Sequence, residues 1–179
     1  MDIESDGQKA HYLQSTLREK IVEHVFVGDI LRRLWQRGIT DVEVLRSEFD
    51  AGGYDLVVSR EKIVRHIQFK TSKVEGKRRS ITASVKLMEK PSGCILWIFV
   101  DSDLNIKSYR WFGNDPGVAL ADISGFPVAK HTKGNSKGDK NKRPDQRVIA
   151  LAKFSKDDLK TTDEVLDRLF DDLPRLAKP

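Results

Sequence analysis

The segment Glu48–Ser72, EFDAGGYDLVVSREKIVRHIQFKTS, most limits what this chain can fold into. Two runs within it alternate with a period of two. In the first, Tyr54, Leu56 and Val58 alternate with Asp55, Val57 and Ser59. In the second, Ile63, Arg65, Ile67 and Phe69 alternate with Val64, His66, Gln68 and Lys70. β-Branched and aromatic residues at that period predict two paired strands, with Ser59–Lys62 as the turn. A turn centred on Arg60 and Glu61 sets Val58 against Ile63 and Asp55 against His66. Asp55 then shares a sheet face with His66, Gln68 and Lys70, because opposed residues lie on one face. Parity is decisive: a slip of one residue would move Asp55 to the other face.

Such a face suits phosphodiester cleavage. Mg²⁺, or Mn²⁺ in its place, takes hard oxygen ligands, which an Asp carboxylate and a Gln amide both supply. A lysine two residues beyond the Gln can orient the attacking water or neutralise charge on the transition state. The plainer alternative is an amphipathic hairpin with a solvated polar face. Ala51-Gly52-Gly53 before Asp55, Lys70-Thr71-Ser72 at the strand end and an upstream helix favour the chemical reading.

Gly53 to Val58, followed by Ile67 to Ser72, resembles the PD-(D/E)xK nuclease superfamily. More narrowly it resembles the branch with Gln-x-Lys in place of Glu-x-Lys, which includes a cyanobacterial intron-encoded endonuclease. The order of helix, strand and hairpin is also similar to archaeal Holliday junction resolvases. The resemblance covers roughly residues 17 to 72. It implies an α/β, restriction-endonuclease-like mixed sheet flanked by helices, here with an added C-terminal strand and helix. It also implies a Mg²⁺-dependent (or Mn²⁺-dependent) endonuclease acting on DNA, with RNA left open, and a homodimer. By the same resemblance, Asp55 matches the metal-binding aspartate, Gln68 the second acidic position and Lys70 the catalytic lysine. Glu23 matches a helical glutamate beside the metal, and the Phe69 carbonyl is the usual main-chain ligand. Two positions depart from the pattern: Tyr54 stands where the proline would be, and Gln68 lacks the charge of Glu. The second departure keeps an alternative in view, a non-cleaving module of the same fold that binds nucleic acid or a protein.

The 179 residues suffice for a sizeable core, and a net charge of +5 permits nucleic-acid binding without diagnosing it. Cys94, the only cysteine, rules out an internal disulfide or a cysteine zinc cluster and reads as a buried thiol. The apolar run Cys94–Val100 is too short to cross a bilayer, and the acidic, polar N-terminus has no signal-peptide pattern, so a cytoplasmic protein is expected.

Residues 1–14 read as a flexible lead-in and 15–179 as one domain, with a core over 15–112. Ser15 is the expected N-cap of a helix over Thr16–Gln36, and Gly38 its stop. Leu17, Ile21, Val25, Phe26, Ile30 and Leu34 form its apolar face, with Glu23 on the edge. An acid there is solvated, paired with Lys20 or His24, or bound to a cation. Asp41–Ser47 is the expected first strand, and Glu48 and Asp50 an acidic loop. Gly52 and Gly53 permit positive φ or a close approach. Lys73, Lys77, Arg78 and Arg79 follow the second hairpin strand and could meet phosphates. Ile81–Leu87 fits strand and short helix equally badly. Cys94–Val100 and Ile106–Phe112 read as paired strands, with Trp97, Tyr109, Trp111 and Phe112 in the core.

Residues 130–147 lack periodicity and read as a mobile basic loop. Lys133, Lys137, Lys140, Lys142 and Arg143 are its candidate nucleic-acid contacts. A last strand and a helix are expected over 147–173, with Ser155 capping KDDLK and Thr162 capping DEVLDRLF.

Overall fold

The computed structural model describes residues 14–49, 51–131, 140–171 and 173–174. Helix α1 spans Ser15–Gln36. Strands β1 (Val42–Arg46), β2 (Leu56–Arg60) and β3 (Ile63–Lys73) follow as an antiparallel meander. Then come β4 (Ser80–Ser84), a 3-10 helix over Val85–Glu89, β5 (Gly93–Val100) and β6 (Ile106–Gly113). The chain ends with β7 (Val128–Lys130), β8 (Lys142–Ala150) and helix α2 (Thr162–Leu169). The main sheet has the order β1-β2-β3-β5-β6, with β3 and β5 parallel and every other pair antiparallel. A second sheet has the order β4-β8-β7. This mixed α/β arrangement agrees with the restriction-endonuclease-like expectation.

Alternation along the central strands sorts the core into two layers. Leu56, Val58, Ile67, Leu96 and Ile98 pack with α1 and α2. Ile95 and Trp97 pack on the other side with Ile81, Ala83 and Ile149 of the second sheet and Leu87 of the 3-10 helix. Strand β5 is therefore covered on both faces, which explains its unbroken apolar run. Cys94 is fully buried there, and burial pushes its thiol up to about 12.

Helix α1 begins one residue earlier than expected. Gln14 is its N-cap, and no side chain caps it. Its end follows the expectation: Gly38 takes φ +73° and the N–H of Ile39 reaches back to the Leu34 carbonyl at 2.9 Å. Its buried face is narrower than expected. Val22, Phe26, Val27, Ile30 and Leu34 are buried, while Leu17, Ile21 and Val25 are exposed, as is Trp35.

Three other segments differ from the sequence reading. Ile81–Leu87 divides, strand first and 3-10 helix after, with the Ser84 hydroxyl accepting from the Lys86 N–H at the junction. KDDLK forms no helix. The Ser155 hydroxyl instead accepts from the Trp111 N–H, and Leu159 bridges to Tyr109. The next helix is capped by Thr161, not Thr162, through a capping box with Glu164. Finally, the basic loop expected over 130–147 is ordered over 142–147 as part of β8.

Arg65 is the least expected core residue. It is fully buried on the helix-facing side of β3. Its Nε donates to the Leu169 carbonyl at 3.0 Å, and Nη2 to the Arg168 carbonyl at 2.7 Å. Nη1 donates to Ser92 Oγ at 2.9 Å, and both Nη atoms lie 3.1 Å from the Asn114 carbonyl. Burial lowers its pKa from the ordinary arginine value, and its guanidinium lies over the Trp111 ring. Arg65→Met keeps most of the volume but leaves three main-chain carbonyls without these donors. We expect a loss of about 3 kcal/mol of unfolding free energy in a urea titration.

Candidate active site on the β2–β3 hairpin

Arg60 belongs to β2, and the turn is Glu61–Lys62, with Glu61 at φ 52°. The register pairs Leu56 with Ile67, Val57 with His66 and Val58 with Arg65. Past Leu56 it does not continue: the Asp55 N–H donates to the carbonyl of Ile67, the partner of Leu56, so Asp55 lies at a bulge where the ladder ends. Within the ladder the expected pairing of Val58 with Ile63 is displaced by two residues, to Arg65. An even displacement preserves the face, so Val57, His66, Gln68 and Lys70 share one side of the sheet.

Asp55 lies where the β2–β3 ladder runs out. Its N–H donates to the Ile67 carbonyl at 2.9 Å. Its Oδ2 accepts from the Phe69 N–H at 2.7 Å, so the carboxylate supplies the next rung. This bond fixes the acid against β3. On the far side, the Ser47 N–H donates to the Asp55 carbonyl at 3.3 Å, so the end of β1 is tied to the same point.

Gln68 is 5% exposed, and its Oε1 is buried without a hydrogen-bond partner. A buried amide oxygen left so is costly, and native proteins carry few of them. It is a hard donor two residues before Lys70, beside the Phe69 N–H that holds Asp55, and so fits a divalent cation. The Phe69 carbonyl lies between Gln68 and Lys70 in the chain. Lys70 is half-buried and is paired across the parallel ladder with Trp97. The Trp97 indole N–H donates to Ser72 Oγ at 2.9 Å and so ties the strand just past Lys70.

Glu23 is placed differently. It is buried in α1, and its Oε2 accepts from Lys20 Nζ at 2.9 Å. Its Oε1 lies 3.3 Å from Arg46 Nη1 as an ion pair, without hydrogen-bond geometry. The pairing with Lys20 weighed from sequence is therefore present, on a buried and not an exposed acid. One turn further on, Phe26 packs edge-on against Phe69, with ring centroids 5.3 Å apart. Among the described residues, no three His, Cys, Asp or Glu side chains are grouped to hold a metal.

His66 was not singled out as a site residue, although it shares the face. Its Nδ1 is buried without a partner, and its ring packs edge-on to Tyr54 at 4.9 Å. Burial first, and the Lys90 ammonium second, lower its pKa below the ordinary value, so it is neutral at pH 7. Period-two alternation from Gln68 was signal enough to find it.

Gly53 takes φ +73°, and a Cβ there would lie 2.6 Å from Ser84 Cβ. The close approach that the glycine permits is thus to β4 of the same chain. Gly52 has no positive φ. Glu48 is exposed, and Asp50 lies outside the described residues. Lys73 ends β3 half-buried, while Lys77, Arg78 and Arg79 are exposed on the way into β4. Lys140, Lys142 and Arg143 are exposed beside β7, and Lys133 and Lys137 lie outside the described residues. A cleft of about 470 Å³ lined by Trp111, Asn114, Lys153 and Arg168 includes none of Asp55, Gln68 and Lys70.

No protein-family model and no curated protein matches the chain. Among solved structures, it is similar to Hjc, a Holliday junction resolvase from the archaeal hyperthermophile Archaeoglobus fulgidus. The identity is 12% and the TM-score 0.39, over 79% of this chain and 98% of that one. No helix of the described residues is long and apolar enough to cross a membrane.

Two measurements follow from these buried polar atoms. Gln68→Leu removes an unsatisfied acceptor, and we expect a gain of about 1 kcal/mol in unfolding free energy in chelator. His66 binds its proton more weakly folded than unfolded. Its contribution is present above the unfolded pKa, about 6.5, and is lost as pH falls below it. Urea titrations between pH 7 and 5 should show that loss, and His66→Gln should reduce the slope.

Proposed function

We propose that the chain is a metal-dependent endonuclease that hydrolyses phosphodiester bonds in DNA. The observation that carries this reading is Gln68 Oε1, buried and without a hydrogen-bond partner, between Ile67 and Phe69, whose main chain holds Asp55, with Lys70 two residues on. A fold does not leave such an acceptor bare without cost, and a hard cation is the partner that its chemistry suits.

Asp55, Gln68 and the Phe69 carbonyl would hold the cation, Mg²⁺ or Mn²⁺. Glu23, buried in α1 and paired with Lys20 and Arg46, would have to give up those partners to join them. A bound cation would supply Lewis acidity toward the phosphoryl oxygens. Lys70 orients the attacking water and offsets negative charge as the phosphorus becomes five-coordinate. The Phe69 N–H holds the Asp55 carboxylate in place. Lys73, Lys77, Arg78 and Arg79 contact phosphates beside the scissile bond. Such contacts position a strand without reading its sequence.

A second reading rests on the neutral Gln68 and on the lack of three grouped acids among the described residues. On it, the fold binds nucleic acid or a protein without cutting.

Labelled duplex, single-stranded and branched DNA, with Mg²⁺ or Mn²⁺ against EDTA, separate the two readings. We expect metal-dependent cutting that Lys70→Ala lowers by about 10²–10³-fold while DNA binding persists. Asp55→Asn should abolish cutting and weaken Mn²⁺ binding in calorimetry, and Gln68→Glu should strengthen it. Binding by the wild type with no cutting under any metal would favour the second reading.

A further inference from the structure

Helix α1 keeps a large part of its apolar surface out of the core. Leu17, Ile21, Val25, Leu31 and Trp35 are all exposed on it. Scattered apolar residues are ordinary on a surface, but a contiguous patch marks an interaction site. Four of these side chains, with His24 and Gly28, recur along the helix in alternating steps of four and three residues. That is the spacing of a coiled-coil seam. The seam lies opposite the face that Val22, Phe26 and Ile30 bury. One side of α1 builds the fold, and the other presents a second apolar stripe to solvent.

This stripe is complementary to itself when two copies run antiparallel. Positions equidistant from Phe26 then meet across the contact: Leu17 with Trp35, Ile21 with Leu31, and His24 with Gly28. The largest side chain is set against a smaller one, and the imidazole against the residue with no side chain. A parallel pair would stack Trp35 on its own copy and leave Gly28 facing Gly28, a crowded layer beside an empty one. Nothing lies within 4 Å of where a Gly28 Cβ would be, so the chain itself does not fill that space. Glycine inside a helix weakens it, and close approach of a second helix is what this one permits. His24 leans back along the helix, with Nδ1 2.7 Å from the Lys20 carbonyl and Nε2 2.9 Å from Arg46 Nη1. Val25, beside the stripe, falls next to the twofold axis and meets its own copy. The cations at the rim are paired within the chain: Lys20 with Glu23 at 2.9 Å, Arg32 with Asp29 at 2.5 Å and Arg18 with Glu19 at 3.8 Å.

We propose that the exposed stripe of α1 is the interface of an antiparallel homodimer. The contact is isologous, since the same patch serves both copies and a twofold axis closes it. The proposal is independent of the nuclease reading, because it uses no residue of the hairpin and no step of the reaction.

The test uses the full chain, by sedimentation velocity from the low to the high micromolar range, with tryptophan emission read alongside. Trp35 is 74% exposed while Trp97 and Trp111 are buried, so emission open to acrylamide quenching reports the stripe. We expect a monomer–dimer equilibrium in which the emission moves to shorter wavelength and becomes shielded as the dimer forms. Ile21→Glu/Leu31→Glu opposes carboxylates in two layers and should raise the dissociation constant by about 100-fold or more. Its melting temperature should match that of the monomeric wild type or exceed it, since both sites are exposed and Glu suits a helix. Ile21→Glu/Leu31→Lys should dimerise more tightly than the double glutamate variant, because the two sites face each other only in the antiparallel register. A monomer at every concentration would overturn the proposal, as would shielding of Trp35 with no change in mass. A dimer that survives the double glutamate variant would place the interface elsewhere. A charge-swapped variant no tighter than the double glutamate one would exclude the antiparallel pairing.

Discussion

One buried guanidinium ties the elements of this fold to the strand that carries the candidate site. Arg65 reaches carbonyls at the end of α2, the loop after β6 and the hydroxyl of Ser92 just before β5. Each of these would otherwise be free to shift against β3. A buried charge without a carboxylate is expensive, and this one is tolerated because main-chain dipoles meet it on several sides. Gln68 lies three residues further along the same strand. A displacement of β3 that loosened Arg65 would also break the Asp55–Phe69 bond.

The two faces of β3 follow opposite rules. Toward the helices, Ile67 is buried and apolar, and Arg65 has its donors met. Toward the second sheet, Gln68 and His66 keep buried polar atoms without partners. Folds satisfy their polar groups nearly everywhere, and departures concentrate where a ligand is meant to complete them. The contrast within one strand argues for function more strongly than either side chain does alone.

Much of the hairpin was legible in the sequence because period-two alternation survives an error in register of two residues. The two-residue shift in pairing was not, since it depends on Glu61 taking a left-handed conformation and moving the turn. Arg65 read only as one member of an alternating run, with nothing to show that it would be buried. Its partners lie far off in the chain, and no local pattern announces them. The basic segment was misread for a related reason. Lysine, asparagine and glycine oppose strand formation locally, yet Ile149 pairs with Ile81 and both are buried, so tertiary contact overrides propensity. Exposed Leu17, Ile21 and Val25 show the converse: spacing identified a helix but overstated its buried face.

The order of strands along the chain gives the molecule a sequence of assembly. The strands that carry Asp55 and Gln68 are neighbours in the chain and close through short loops. The second sheet forms only when β8 returns to β4 across a long separation, and such closures are slow. During synthesis, at about 5–20 residues per second, the site hairpin exists for seconds before β8 has been made. A growing chain thus holds Asp55 beside Gln68 before it has the strand that completes the second sheet. On the functional reading, the layer behind Trp97, the partner of Lys70, closes last, so the centre is finished only with the completed fold.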